Sequence, residues 1–117
     1  MLVDGGKMTS VSYISNTMPI PADKAELAVC TAIAGEMLGL HLLYLDAGSG
    51  AKSPIPVEMT QAVGKTVQIP LIVGGGLRTS AQINAQFTAG ADLVVVGNVL
   101  EKNPGLLTEI SNGIARS

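Results

Sequence analysis

Ile69-Pro-Leu-Ile-Val-Gly-Gly-Gly76 and Ala91-Asp-Leu-Val-Val-Val-Gly-Asn98 each run a short apolar segment straight into glycine. A run this short, rich in branched residues and bounded by Gly and Pro, reads as a buried strand. The glycines turn its end into a loop of bare backbone amides, the kind of loop that binds phosphate. The two stretches lie one helix-length apart, the spacing of neighbouring parallel strands joined by a right-handed crossover. Their nearly continuous apolar character is that of strands covered on both faces, which favours an all-parallel α/β sheet. In a (β/α)8 barrel the loops after strands 7 and 8 often share a phosphate site at the C-terminal face. A whole barrel takes ~250 residues and this chain has 117. The expectation is therefore one segment, residues 1–117, forming half of a (β/α)8 barrel from parallel (β/α) units.

Working outward, four strand-then-helix units are expected. Met1 to Asp4 forms a short strand closed by the Gly5-Gly6 turn, and Thr9 to Thr17 reads as a loop or edge extension ended by Pro19 and Pro21. Asp23 is the expected N-cap of a helix from Lys24 to Leu38, with Leu27, Ala28, Ile33 and Met37 buried and Gly39 as its stop. The second strand, His41 to Asp46, is followed by a short helix from Ser53-Pro54 to Val63, closed by Gly64. After the third strand, Gln68 to Val73, Thr79 and Gln82 make a capping box, Ile83 and Phe87 lie one turn apart, and Gly90 terminates. The fourth strand is Asp92 to Val96. Asn103 and Pro104 then begin a last helix with Leu107, Ile110 and Ile114 on one face.

Parallel sheets bind ligands at the carboxyl ends of their strands, and the unusual small and polar residues cluster there. The second strand ends in Asp46 and the flexible Ala47-Gly-Ser-Gly50 loop, the third in Gly74-Gly75-Gly76, the fourth in Gly97-Asn98. Alternation puts Tyr44 and Asp46 on one side of the sheet. A carboxylate there either caps the following loop or faces the barrel mouth, where it can accept hydrogen bonds from a polyol or act as a general base that Tyr44 orients. A Gly-Gly-Gly turn can equally serve only to permit positive φ; its pairing with Gly97-Asn98 tips the balance towards phosphate. His41, at the start of its strand, reads as structural or solvated. Lys52 and Arg78 follow the glycine loops and are explained equally as anion contacts or as solvated surface.

Seven Lys plus Arg against nine Asp plus Glu, with two Tyr and one Phe, argue against nucleic-acid binding. The longest apolar stretches are far short of the ~20 residues of a membrane span, and no signal pattern opens the chain. A soluble, cytoplasmic protein is expected. The one cysteine, Cys30, is expected to be buried and structural. Neither Cys/His metal spacing, nor a GxSxG elbow, nor a Walker lysine is present, so the residues themselves indicate no metal ligand and no covalent nucleophile.

Tyr44-Leu-Asp-Ala-Gly-Ser-Gly-Ala51, Pro70-Leu-Ile-Val-Gly-Gly-Gly-Leu-Arg78 and Gly90-Ala-Asp-Leu-Val-Val-Val-Gly-Asn98, with Glu101 following, closely resemble the geranylgeranylglyceryl phosphate synthases and their heptaprenyl relatives. The resemblance runs from the Asp4-Gly5-Gly6 turn and Pro19-Ile20-Pro21 to the final helix. It implies a magnesium-dependent prenyltransferase on a (β/α)8 barrel, joining the 3-hydroxyl of sn-glycerol 1-phosphate to a polyprenyl diphosphate in ether-lipid synthesis. By the same resemblance, Tyr44, Leu45, Asp46, Ala47, Gly48, Ser49 and Gly50 line the glycerol phosphate, Gly74, Gly75, Gly76, Gly97 and Asn98 hold its phosphate, and Tyr44 and Asp46 are catalytic. Asp46 stands where the family often has a glutamate. The family's first four strands, which carry its magnesium aspartate and the diphosphate contacts, have no counterpart here, and the chain matches strands five to eight. It is then a C-terminal half that needs its N-terminal half, or a homo-oligomer. The alternatives are a fragment of another phosphate-binding barrel enzyme, or a non-catalytic half-barrel that self-associates through its open edges.

Overall fold

The computed structural model describes residues 1–8 and 16–114. Most of the loop expected over Thr9 to Thr17 therefore lies outside the described residues. Three strands, β1 (Leu43–Asp46), β2 (Leu71–Gly74) and β3 (Leu93–Val95), form a parallel sheet in the order β1-β2-β3. The helices are α1 (Ala25–Met37), α2 (Val57–Thr66), α3 (Ser80–Ala89), α4 (Asn98–Lys102) and α5 (Leu106–Gly113). Each crossover carries the chain to the adjacent strand, as barrel winding requires, and the architecture is half of a (β/α)8 barrel.

The expected first strand does not form a full ladder. Met1 to Asp4 pairs in parallel with β1 through one isolated bridge, Leu2 to Asp46, and with Ile20 through another at Val3. Val3 N donates to Asp46 O at 2.8 Å, and Asp46 N to Met1 O at 2.9 Å. Ile20, whose two proline neighbours have no N–H, supplies the outer pair: its N donates to Leu2 O at 2.8 Å and its O accepts from Asp4 N at 2.9 Å.

The register Leu43↔Leu71, Leu45↔Val73 and Val73↔Val94 places one row of side chains against the helices, and Leu43, Leu45, Leu71 and Val73 are buried there. The other row, Tyr44, Ile72 and Leu93, then Asp46, Gly74 and Val95, is the inner face of the half-barrel. Leu93 is 49% exposed and Val95 39%, so β3 is not covered on both faces as its apolar run suggests. Continuous hydrophobicity is what a closed barrel would bury, and among the described residues no strand faces β3 from the inner side.

Helix α1 corrects two further expectations. Its N-cap is Lys24, without a side-chain cap bond, and Asp23 does not cap it. Its buried stripe is Ala28, Ala32 and Gly35, the smallest residues on a 3.6-residue period, because the helix approaches the sheet closely: a Cβ at Gly35 would stand 3.3 Å from Leu43 Cδ2. Leu27, Ile33 and Met37 are exposed, and so is Cys30. Helix α2 starts later than expected, after Pro56, and runs through Gly64 to Thr66. The capping box of α3 is present, with Gln82 N donating to Thr79 Oγ1 at 3.2 Å and Thr79 N to Gln82 Oε1 at 3.3 Å. Ile83 is buried but Phe87 is 38% exposed. The short α4 was not expected from the sequence. On α5 the inward residues are Leu106 and Ile110, Ile114 packs beside them from just past the helix end, and Leu107 is exposed.

Sequence reading also misses a buried polar link between α2 and α3. Thr60 Oγ1 donates to Gln86 Oε1 at 2.6 Å, and Gln86 Nε2 donates to Ile55 O at 2.7 Å, so both polar side chains are satisfied inside the core.

Candidate functional site

The three strand ends open on one cavity of about 320 Å³ at the carboxyl edge of the sheet. Tyr44 and Asp46 both line it, as their alternation along β1 requires, together with Ser49, Gly50, Gly75, Gly76, Gly97 and Asn98. Leu45 and Ala47 do not: both are packed into the core on the helix side. Gly48 and Gly74 are buried and stand behind the lining.

Those two glycines act by allowing close approach. A Cβ at Gly74 would strike the Tyr44 hydroxyl and lie 3.1 Å from Val95 Cβ, so the bare Cα of β2 is the floor on which the Tyr44 ring rests. Gly75, at φ +90°, packs against Gly48, where an added Cβ would sit 2.7 Å from Gly48 N. The loops after β1 and β2 are thereby stacked backbone to backbone, with Ala47 N donating to Gly74 O at 3.0 Å. Among the described residues, the amides of Gly75, Gly76 and Gly97 donate to no protein acceptor. These bare N–H groups at the rim of a cavity are what an anion requires.

Both readings of Asp46 hold at once. Its Oδ1 accepts from Gly48 N at 2.7 Å, capping the loop, while among the described residues its second oxygen accepts no hydrogen bond. Burial pushes the Tyr44 phenol above its ordinary value, and the neighbouring Asp46 carboxylate adds to the rise. The phenol thus stays protonated across the neutral range and remains a hydrogen-bond donor. Asn98 joins the loop after β3 to the loop after β1. With its amide oriented to satisfy both neighbours, its nitrogen donates to Glu101 Oε2 at 3.1 Å and its oxygen accepts from Gly50 N at 3.3 Å.

Lys7, Arg78 and Lys102 give the mouth a cationic character, and the apolar wall is Leu77, Val95, Val96 and Val99. Lys7 and Lys102 were missed in the sequence. Lys7 follows the Gly5-Gly6 turn of the first strand, and the strand-end rule applied there would have found it; Lys102 arrives only through α4. Lys52 and His41 are exposed and outside the lining. Asp46 is the only carboxylate of the lining, and the described residues contain no group of three or more His, Cys, Asp or Glu able to hold a metal ion. No described helix is long and apolar enough to cross a membrane.

The PcrB family model matches residues 2–114. The chain is 54% identical over 111 residues to a geranylgeranylglyceryl phosphate synthase of Spirosoma linguale, covering 95% of this chain and 45% of the relative. Against the enzyme of the same name from Chitinophaga pinensis it is 50% identical over 114 residues, covering 97% and 45%. The crystal structure of (S)-3-O-geranylgeranylglyceryl phosphate synthase from Thermoplasma acidophilum, in complex with its substrate sn-glycerol-1-phosphate, superposes with a TM-score of 0.88 at 32% identity, covering 97% of this chain and 46% of that one. The chain thus spans about half the length of the relatives it matches.

Proposed function

We propose, for a chain that belongs to the PcrB family, that it supplies the glycerol phosphate half of a prenyltransferase site. The reaction is transfer of a geranylgeranyl, or other polyprenyl, group from its diphosphate to the 3-hydroxyl of sn-glycerol 1-phosphate, in ether-lipid synthesis. One observation carries this reading: the glycine loops of three adjacent strands meet Tyr44 and Asp46 around a single cavity. Its support from outside is the Thermoplasma enzyme, which shares the fold and holds sn-glycerol-1-phosphate.

In this reading the phosphate lies on the bare amides of Gly75, Gly76 and Gly97, with Ser49, Gly50 and Asn98 beside it. The glycerol then extends towards Asp46. Its 3-hydroxyl oxygen forms an ether bond to the allylic carbon of the prenyl group as the bond from that carbon to the diphosphate oxygen breaks. The diphosphate leaves with the electron pair, and the hydroxyl proton passes to the Asp46 carboxylate. Tyr44 donates a hydrogen bond that fixes the acceptor, and the loops hold the hydroxyl in line with the carbon it attacks. The diphosphate contacts and any magnesium ion belong to the other half of the barrel, which would close over the open inner face. The reading places the chain in the cytoplasm, with its water-soluble acceptor.

Calorimetric titration with sn-glycerol 1-phosphate, against its 3-phosphate enantiomer and inorganic phosphate, tests this directly. Selective binding of the 1-phosphate, without turnover by the chain alone, is expected. No binding, or equal binding of all three, overturns it. The exposed apolar inner face favours a second reading in that event, a half-barrel that pairs with another copy, and sedimentation velocity would then show a concentration-dependent dimer.

A further inference from the structure

Arg78 follows the Gly74-Gly75-Gly76 loop and sits at the edge of the cavity, the place of an anion-binding cation. Its donors are directed elsewhere. Nη2 donates to Ala51 O at 2.7 Å, and Nη1 donates to Gly76 O at 2.9 Å and reaches Lys52 O at 3.5 Å. Its own backbone N–H donates to Gln82 Oε1 at 2.8 Å, so the first turn of α3 anchors the residue. The guanidinium therefore spans two loops, the one after β1 and the one after β2, through three backbone carbonyls.

Beyond the guanidinium, the two loops are joined by the Ala47 N to Gly74 O hydrogen bond and by backbone packing. Their residues at the contact are glycine, alanine and serine, and they meet as bare backbone. A Cβ at Gly76 would lie 3.0 Å from Ser53 C and O, as one at Gly75 would crowd Gly48. Such a contact has no side chains to interlock, and sliding by a fraction of an ångström would shift the bare Gly75 and Gly76 amides away from the Ser49 side of the cavity. A planar fork with five fixed donors suits three carbonyls on two segments; a lysine ammonium keeps the charge but not the fork.

We propose that Arg78 is a positioning residue, a clamp whose guanidinium sets the separation of the loops after β1 and β2 and so holds the bare Gly75 and Gly76 amides opposite Ser49 and Gly50 around one phosphate, without itself binding that phosphate. The consequence for binding rests on the glycerol phosphate reading above; the clamp itself does not.

Two measurements on the 117-residue chain and its R78A and R78K variants separate the two ideas. In amide hydrogen exchange, with no ligand present, both variants exchange faster at the hydrogen-bonded loop amides of Ala47, Gly48 and Ala51 while β1 and β2 keep their protection. In calorimetry, both lose about tenfold or more in affinity for sn-glycerol 1-phosphate at an unchanged unfolding midpoint, and added ethylguanidinium restores R78A. Exchange as slow as in the parent chain overturns the clamp. So does R78K binding as tightly as the parent, because charge alone would then suffice. If R78A fails to fold, R78K decides by the same two readouts. A parent chain that binds no sn-glycerol 1-phosphate defeats the functional reading instead, and exchange still decides the clamp.

Discussion

The two faces of the sheet are built from the same residue types and have opposite fates. On the helix side, Leu43, Leu45, Leu71 and Val73 are buried under α1, α2 and their loops, with Met59, Val63 and Ala32 filling between them. On the inner side, one residue away along each strand, Tyr44, Ile72, Leu93 and Val95 are only partly covered or exposed. Alternation alone cannot account for this, since leucine and valine occur on both sides. The covered face is completed by helices that flank β1 and β2 along the chain. The inner face has no such cover among the described residues, and it carries the cavity with Tyr44 and Asp46. Stability and the cavity are therefore divided between faces: one holds the fold, and the other lines the cavity.

The sharpest way to break that division is to truncate one leucine on each face. Leu45→Ala should cost about 2–5 kcal/mol, whereas Leu93→Ala should stay within about 0.5 kcal/mol, read from urea unfolding midpoints. Equal costs would mean that the inner face is covered in solution. Gly75→Ala tests the stacked loops, because it places a side chain at φ +90° and 2.7 Å from Gly48 N. A loss of about 1–3 kcal/mol is expected, with loss of sn-glycerol 1-phosphate binding; unchanged binding would show that the loops do not act together. Gln86→Ala leaves the Thr60 hydroxyl and the Ile55 carbonyl without their partner. That should cost about 1–3 kcal/mol in the same unfolding assay while the ligand affinity stays unchanged, which would place the link on the structural side of the division.

The smallest effect is electrostatic. Tyr44 has its phenol value raised by burial first and by Asp46 second. The neutral phenol is the form the fold favours, so this contribution is intact below the ordinary tyrosine value and is lost as pH rises through the raised one. Ultraviolet titration of tyrosinate should show a late component that Tyr44→Phe removes and Asp46→Asn moves part of the way back. A Tyr44 that titrates at the ordinary value would mean the inner face is as wet as free solution.

Legibility followed the range of the interaction. The capping box at Thr79 and Gln82 and the terminators Gly39 and Gly90, both at positive φ, are local devices and stand where the sequence puts them. The glycine-ended strands and the shared side of Tyr44 and Asp46 were equally readable. The burial of α1 was not, because a helix apolar on every face does not reveal which stripe a sheet will select, and close approach selected its smallest residues. Cys30 was misplaced for the same reason. Leu45 and Ala47 carry the pattern of the site yet point into the core, since every second residue of a strand must.

By itself, then, the sequence determined the parallel (β/α) units, the strand ends that open on the cavity, and the shared side of Tyr44 and Asp46. Periods of two and 3.6 residues and the freedom of glycine are properties of the backbone over a few bonds. Only the tertiary structure decided that the inner face stays open, that Lys7 and Lys102 reach the same cavity, and that Arg78 bridges two loops through Ala51, Lys52 and Gly76. Each of these depends on the distance between segments far apart in the chain, and that distance is set by how helices and strands pack together.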